Sequence, residues 1–245
     1  SGDGSDCIRS SINTKQAAAR SSYAPTGYLI VARVLIGYSA CPLPRKAFEA
    51  HGHDVWTCDL LPARDGSSKH HQCDIWDVLE DGWDMAVLHP MCTYLTVSAA
   101  WAYSDGPYHQ KVKPETLVGT ARREAREEAI ENFRRLLNLP FPVAIENPAI
   151  SFINKAIRRP DQVIHPHQFG DDASKATGLW LNGLPALTHT GRAEPRIVNG
   201  AKRWANQTDS GQNRLTPSAS RWLERSATYP GIAAAMGNQW GGLLA

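Results

Sequence analysis

From residue 29 onward, short apolar runs alternate with stretches in which apolar residues recur every three or four positions. Residues 29–36, 54–58 and 84–88 have the length and composition of buried strands. Residues 44–51 and 75–79 lie between them and predict helical segments. Strands that alternate with helices are typical of parallel sheets. This order therefore predicts an α/β fold with a doubly wound, mostly parallel sheet that helices cover on both faces.

A long amphipathic helix is the clearest periodic segment of the chain. Asn138 and Pro140 predict its end. Residues 143–146 then predict a fourth strand, and residues 149–157 predict another helix. The apolar positions of the long helix are Leu117, Val118, Ala121, Ala125, Ala129, Phe133 and Leu137, with Arg and Glu on its other faces.

The pattern also predicts how the chain is divided. Residues 1–28 are rich in Ser, Gly and Ala without a sustained period, and predict a flexible amino-terminal arm. Residues 29–187 and 229–245 predict the α/β body. Residues 188–228 are poorer in apolar periodicity and richer in Gly, Asn, Arg and Thr, so they predict a small insert outside the sheet.

Composition narrows the class of protein. With 245 residues, 42% of them hydrophobic and 20% charged, the chain suits one domain with a real core, which excludes wholesale disorder. No run of 18 apolar residues occurs, so no membrane-spanning helix is expected. The five cysteines form no CxxC pair, which argues against a disulfide scaffold or a zinc ribbon. We expect a cytoplasmic protein without a metal site.

Positive charge is concentrated in the predicted insert. Between residues 189 and 225, seven Lys or Arg residues stand against three acids, a local net charge of +4 in a chain whose total is +2. Such a surface beside a nearly neutral body fits contact with phosphates. An ordinary solvated face is the alternative.

Polar or reactive residues follow the predicted strands at their carboxyl ends, where ligands bind in this kind of fold. They are Tyr38 and Ser39, Asp59, the run from His89 through Pro90 to Cys92, and Glu146 with Asn147. Cys92 is a candidate nucleophile, because thiolates are the strongest protein nucleophiles near neutral pH. Glu146 ends an apolar strand, and we expect burial to raise its pKa and to leave it protonated.

A cysteine nucleophile and a protonated carboxylic acid are what conjugate addition to a pyrimidine requires. The thiolate attacks C6 while the acid forms a hydrogen bond with N3. The electron-rich C5 then attacks an electrophilic one-carbon donor.

The strand-end residues belong to longer stretches with a recognisable order. These are HPMCTYLTVSAAW from residue 89, IENPAIS from residue 145, IHPHQFG from residue 164, SKATGLWLNGLP from residue 174 and TYPGIAAAMGNQW from residue 228. Together they resemble the DNA cytosine-C5 methyltransferases, most closely the small phage and prophage members of that superfamily. The resemblance covers about residues 31–241 and implies a class I methyltransferase-like Rossmann fold in a bacterial or phage-infected host cell.

The resemblance also implies roles for individual residues. Cys92 and Glu146 match the catalytic pair. The residues implied to bind S-adenosylmethionine are Tyr38, Ser39, Asp59, Asp74, Ile75, His89 and Asn238. Those implied to bind the substrate are Pro90, Asn147, Lys175 and Trp101, the last in a loop that closes on the base. The implied partner is nucleic acid, DNA first, or a cytosine nucleotide, and no membrane.

Two departures from the family keep alternatives open. Residues 40–44 carry Ala, Pro and Leu where the family has glycines that admit the methionine part of the cofactor, so a different donor such as folate is a second hypothesis. Residues 188–228 are too few for a full target-recognition domain, which favours low specificity, a single strand or a free nucleotide. A non-catalytic relative that binds nucleic acid is the third hypothesis.

Overall fold

The computed structural model describes residues 31–216, 218 and 221–244. Within them the chain forms an α/β fold around a seven-stranded, mostly parallel sheet, which confirms the predicted fold class at this level. The predicted flexible arm, residues 1–28, lies outside the described residues. None of the described helices is long and apolar enough to cross a membrane.

The sheet has the strand order β3-β2-β1-β4-β5-β7-β6. Its strands are β1 (Arg33–Gly37), β2 (Asp54–Cys58), β3 (His70–His71), β4 (Met85–Leu88), β5 (Val143–Pro148), β6 (Gln162–Ile164) and β7 (Thr177–Asn182). Strand β7 is antiparallel to both β5 and β6, whereas the other paired strands are parallel. Without β7 the order is the 3-2-1-4-5-6 order of dinucleotide-binding folds.

Helices of very different length surround this sheet. They are α1 (Pro42–Glu49), α2 (Gly119–Leu137), α3 (Ile153–Ala156), α4 (Arg221–Ser226), α5 (Pro230–Met236) and α6 (Gly242–Leu244). Short 3₁₀ segments cover Ile75–Asp77, Val97–Tyr103 and Pro166–Phe169, and a π-helical segment covers Gly237–Gly241. The chain therefore follows the predicted alternation through β5 and then departs from it.

Two separate clusters of buried side chains show that both faces of the sheet are covered. Alternate residues of β1 point to opposite faces, as the two-residue period of a strand requires. Leu35 packs in one cluster with Phe133 of α2. Ile36 packs in the other with Phe48 of α1 and with Trp240 of the π-helical segment. The doubly wound arrangement follows from this division.

The predicted insert contains a hairpin outside the main sheet. Strands β8 (Arg196–Val198) and β9 (Ala201–Arg203) pair with each other and form a separate two-stranded sheet. The hairpin is anchored to the loop between β6 and β7, where the rings of Trp204 and His167 stack with centroids 4.3 Å apart. Asn206 and Ser174 also exchange two hydrogen bonds of 2.9 Å.

Candidate functional site

The parallel register of β4 and β5 builds the centre of the candidate site. Leu88 lies opposite Ile145, so the residues that follow them, His89 and Glu146, lie side by side where β4 ends and β5 continues to Pro148. The Nδ1 atom of His89 lies 2.6 Å from Oε2 of Glu146, and both side chains are nearly buried. The sequence predicted His89 as a cofactor contact, whereas its observed partner is Glu146.

The loops that follow β4 and β5 are tied to each other. The side-chain amide of Asn147 donates to the carbonyl oxygen of Pro90 at 2.9 Å. The backbone N–H of Phe152 donates to the carbonyl oxygen of Leu95 at 2.8 Å. These bonds flank the residues on either side of Cys92, so the loop that carries the thiol is fixed against the loop that carries Glu146.

Lys175 reaches the same edge because β7 runs against its neighbours. An antiparallel strand begins where parallel strands end, and Lys175 lies two residues before the start of β7. Its Nζ atom lies 3.5 Å from Oε1 of Glu146. The two carboxyl oxygens of Glu146 therefore face two different nitrogen groups.

The prediction that Glu146 is protonated is wrong. Burial raises its pKa, as expected, but the charge of Lys175 and the hydrogen bond and charge of His89 together outweigh burial. The result is a pKa lowered to about 2, so the carboxylate is ionised at neutral pH. The sequence argument considered desolvation alone and could not include two partners that lie far away along the chain.

Cys92 lies within electrostatic reach of this cluster. Although the residue is exposed, surrounding protein atoms desolvate its thiol and raise its pKa, which is the largest effect. Lys175 and Arg225 lower the pKa, and Glu146 raises it. Both catalytic residues implied by the resemblance thus lie at one edge of the sheet, with Cys92 as a thiol and Glu146 as a carboxylate at neutral pH.

Two buried polar atoms at this edge have no hydrogen-bond partner within the described part of the chain. They are Nε2 of His89 and Oδ1 of Asn147. Buried polar atoms are nearly always satisfied, so unpaired atoms near the loop of Cys92 mark places that a bound molecule can satisfy.

On the cofactor side, Tyr38 and Ser39 are engaged with the protein itself. The hydroxyl of Tyr38 accepts a hydrogen bond from the Asn132 amide at 3.2 Å, and burial raises its pKa to about 12. The Ser39 hydroxyl is buried and accepts from the backbone N–H of Cys41. Asp59 follows β2 and is half-buried. Its Oδ1 accepts a hydrogen bond from the backbone N–H of Leu61.

The loop after β1 does not fit the methionine part of S-adenosylmethionine. Ala40 and Cys41 are buried, and α1 begins directly afterwards at Pro42, so side chains occupy the space that glycines leave free in the family. Ile75 is only 2% exposed and packs against Gly37. Asp74 is exposed, but its carboxylate caps the next turn at the N–H of Trp76.

The structure does not bring Asn238 to the other residues predicted to bind the cofactor. Its Oδ1 lies 2.8 Å from Nε2 of His51, which stands between the end of α1 and the amino end of β2. This is the edge of the sheet opposite to the one that carries Cys92 and Glu146. Helix α5 runs from one edge of the sheet to the other, and Asn238 follows it. The similarity of the motif in sequence therefore does not place Asn238 at the edge that carries Cys92.

Trp101 lies in the 3₁₀ segment that follows Cys92. Its ring makes edge-to-face contacts with the rings of Tyr108 and His109, at centroid distances of 5.8 and 5.7 Å. The segment is anchored through the Tyr103 hydroxyl, which donates to the Tyr94 carbonyl at 2.7 Å. The structure therefore places Trp101 near the loop of Cys92, where its ring packs against the rings of Tyr108 and His109.

Sequence reasoning missed Arg122, which also fixes this loop. The guanidinium is buried, donates to the carbonyl oxygen of Thr93 at 3.0 Å and lies over the ring of Tyr103. A signal was present, because Arg122 lies at helical spacing from Ile130 and Phe133 and is therefore on the buried face of α2. An arginine on such a face needs partners, and here they belong to the loop of Cys92.

Comparison with known proteins does not assign the chain to a family. No model of a known protein family matches the chain, and no curated protein is significantly similar to it.

Proposed function

We propose that the chain modifies C5 of a pyrimidine base after covalent addition of Cys92 to C6. The observation that carries the proposal is the pairing of β5 with β4 on one side and with antiparallel β7 on the other, since it brings Cys92, Glu146 and Lys175 to one edge of the sheet. The strand-end motifs that resemble cytosine-C5 methyltransferases support the same chemistry. A Rossmann-like sheet is compatible with a methyltransferase-like class.

The chemistry follows from the charges of the three groups. The thiolate sulfur of Cys92 forms a bond with C6, and the electrons of the C5–C6 double bond move into the ring. The ammonium of Lys175 stabilises the negative charge that develops there, while Glu146 holds the polar edge of the base. C5 then attacks an electrophile, its hydrogen leaves as a proton, and the sulfur departs as the double bond re-forms.

Cys92 must lose its proton before it attacks. Its raised pKa leaves a small thiolate fraction at neutral pH, and Lys175 is a group that enlarges this fraction. The rate of addition should therefore increase with pH through and beyond the ordinary pKa of a thiol.

The one-carbon donor is a separate part of the proposal. S-adenosylmethionine is the donor that the resemblance implies, and Asp59 and Asp74 are carboxylates of the kind that hold its adenosine. The loop after β1 does not fit the methionine part, which disfavours this donor. A folate-borne carbon is the alternative donor.

Calorimetry distinguishes the two donors. Titration with S-adenosylmethionine, its demethylated product and a reduced folate is compared in the wild type and in Asp59→Ala. Binding of the adenosyl compounds that is lost in Asp59→Ala supports the first donor, and binding of folate alone supports the second.

The proposed macromolecular partner is nucleic acid, DNA first, with a free nucleotide as the alternative. The insert carries a net charge of +4 in a chain whose total is +2, and it is anchored at residues 167–174, directly before Lys175. Phosphates bound there would lie beside the proposed site, and their affinity would fall as salt concentration rises. A protein that binds nucleic acid without catalysis would retain this salt dependence in Cys92→Ala and would show no turnover.

Exchange of the C5 hydrogen tests the addition step without any donor. Reversible addition of a thiol to C6 makes C5 basic, so in deuterated water the C5 hydrogen of a substrate base is replaced by deuterium. Mass spectrometry of pyrimidine nucleotides and oligonucleotides should detect this exchange with the wild type and with Cys73→Ala, and should not detect it with Cys92→Ala. Absence of exchange on every cytosine and uracil substrate would refute the proposal.

A further inference from the structure

Two thiols lie next to each other at the carboxyl end of β2, outside the cluster of Cys92, Glu146 and Lys175. Cys58 is the last residue of β2, and its sulfur atom lies 4.0 Å from the sulfur atom of Cys73. The chemistry proposed for Cys92 uses neither of these sulfurs. Two thiols that are this close have one direct reaction with each other, the formation of a disulfide.

The pairing of β2 with β3 brings the two cysteines together, although they are 15 positions apart in the sequence. Cys58 lies opposite His71 in the parallel register, and the backbone N–H of Asp59 donates to the carbonyl oxygen of His71 at 3.1 Å. The chain reaches Cys73 two residues later, and the Cys58 thiol donates to the carbonyl oxygen of Cys73 at 3.5 Å. The contact between the sulfurs therefore follows from the register of the two strands.

The backbone around the two sulfurs is fixed to different degrees. Cys58 is fully buried and lies in a strand that pairs with both β1 and β3. Cys73 is partly exposed and lies in a bend between β3 and the 3₁₀ segment Ile75–Asp77. The sulfurs of a disulfide are about 2 Å apart, so the pair must approach by about 2 Å. Rotation of the side chains and adjustment of the bend can supply this movement while β2 stays in place.

We propose that Cys58 and Cys73 form a reversible disulfide when the protein meets a peroxide, and that the bond joins β2 to the bend after β3. Each cysteine directly precedes a carboxylate, Asp59 in one case and Asp74 in the other. The bond therefore restrains two carboxylates relative to each other at the carboxyl end of β2. This inference does not rest on the chemistry proposed for Cys92.

The partly exposed Cys73 reacts first, because burial raises the pKa of the Cys58 thiol to about 12 and keeps that thiol protonated. The thiolate of Cys73 attacks one oxygen of hydrogen peroxide, so an S–O bond forms, the O–O bond breaks and hydroxide leaves. Cys58 then loses its proton to solvent, and its sulfur displaces the hydroxyl group from the sulfur of Cys73. In total the two thiols lose two electrons and two protons, and the peroxide is reduced to two molecules of water.

Oxidation of the full chain with hydrogen peroxide tests this inference. The reduced protein is treated with peroxide, unfolded in the presence of iodoacetamide to block the remaining thiols, and digested for mass spectrometry without reduction. The wild type and Cys92→Ala should give a linked pair of peptides that contains Cys58 and Cys73, and dithiothreitol should release both thiols. In Cys73→Ala, Cys58 should stay reduced at the same peroxide concentration, because its partner is absent.

Urea unfolding measures whether the folded chain accommodates the bond. A disulfide between residues 58 and 73 restricts the unfolded chain, so the unfolding midpoint should be higher in the oxidised than in the reduced protein. The comparison is made in Cys92→Ala, so that oxidation of Cys92 does not contribute. The difference should vanish when Cys73→Ala is added. A midpoint that does not rise on oxidation would show that the bond strains the folded chain, against the inference.

The outcomes separate this inference from the proposed function. Cys58 and Cys73 that both stay reduced at a peroxide concentration that oxidises Cys92 overturn the disulfide, as does a Cys73 that links to Cys41 or Cys92 instead. The result with the wild type decides this even if Cys73→Ala does not fold. Exchange at C5 depends on Cys92 alone, so failure of either idea leaves the other in place.

Discussion

The Nδ1 atom of His89 lies 2.6 Å from Oε2 of Glu146, although the two residues are 57 positions apart in the sequence. The pair exists because Leu88 of β4 lies opposite Ile145 of β5, so the residues that follow these two lie side by side. With Lys175, which lies two residues before β7, the buried carboxylate has partners from two other segments of the chain. The ionised state of Glu146 therefore depends on residues that only the folded chain brings beside it.

Acid should destabilise the protein through Glu146. Its pKa is about 2 in the folded chain and has an ordinary value of 4.5, so the folded state favours the ionised form. The corresponding stability is complete above the ordinary pKa and is lost as pH falls from about 5 toward about 2. The shift corresponds to about 3 kcal/mol in the free energy of unfolding.

Urea unfolding at pH 7, 4 and 3 measures this effect. Glu146→Gln removes the titrating group, so the variant should be less stable than the wild type at pH 7 and should lose less stability on acidification. Equal loss of stability in the two proteins would contradict the assignment of the ionised state to Glu146.

Replacing Lys175 should slow the alkylation of Cys92. Desolvation raises the pKa of this thiol and Lys175 opposes the increase, so Lys175→Met should raise the pKa further. With less thiolate at pH 8, the reaction with iodoacetamide should be slower by about threefold to tenfold, which corresponds to between half a pKa unit and one unit.

Mass spectrometry of the Cys92 peptide measures that rate across pH 7 to 10, and the rate should still be increasing at the upper end of this range. Cys73 provides an internal control, because no effect of Lys175 on it is expected. An unchanged Cys92 rate in Lys175→Met would show that the ammonium does not act on the thiol.

Gly237→Ala should destabilise the contact between α1 and the π-helical segment. A Cβ atom at this position would lie 2.5 Å from the carbonyl oxygen of Ala47, a backbone atom that a side-chain rotation cannot move. We expect a loss of about 2 kcal/mol in the free energy of unfolding, typical of overpacking.

Gly242→Ala is the matched control for that substitution. Gly242 also has helical backbone angles, but a Cβ atom there meets nothing within 4 Å. It should leave stability unchanged or raise it slightly, because alanine favours a helix over glycine. Denaturant unfolding of the two variants should therefore differ, and equal effects would contradict the close contact.

Trp204→Ala should loosen the hairpin of β8 and β9 without unfolding the body. Its ring stacks on His167 and its indole N–H donates to the carbonyl of Ala193, so the substitution removes an anchor of the insert. Limited proteolysis should cleave residues 188–216 faster than in the wild type, while the main unfolding transition changes little. Ile197→Ala, which alters an exposed side chain of the same hairpin, should leave cleavage unchanged.

The fold through β5 could be predicted because its signals are local. Strand β2 was predicted at its observed bounds, and the long helix begins at Gly119 and ends at Leu137, close to the prediction. Strand β3 has two residues and β6 has three, which is too short for any period to show. The predicted helix 149–157 contains only Ile153–Ala156, because residues 149–152 form a bend and a backbone bridge to the neighbouring loop.

The candidate site was predicted in its residues and not in its chemistry. Cys92 follows β4 and Glu146 lies near the carboxyl end of β5, and parallel strands of one sheet bring such positions to one edge. The charge of Glu146 depends on His89 and Lys175, and the position of Lys175 depends on the direction of β7. Nothing in the composition of Thr177–Asn182 indicates that direction, because a central strand is apolar in either orientation.

The reversed direction of β7 has a mechanical consequence. Ser174, which the insert grips through the paired amide bonds of Asn206, is joined to Lys175 by a single peptide bond. A displacement of the hairpin would therefore move the backbone of Ser174 and, with no helix in between, the ammonium of Lys175 beside Glu146.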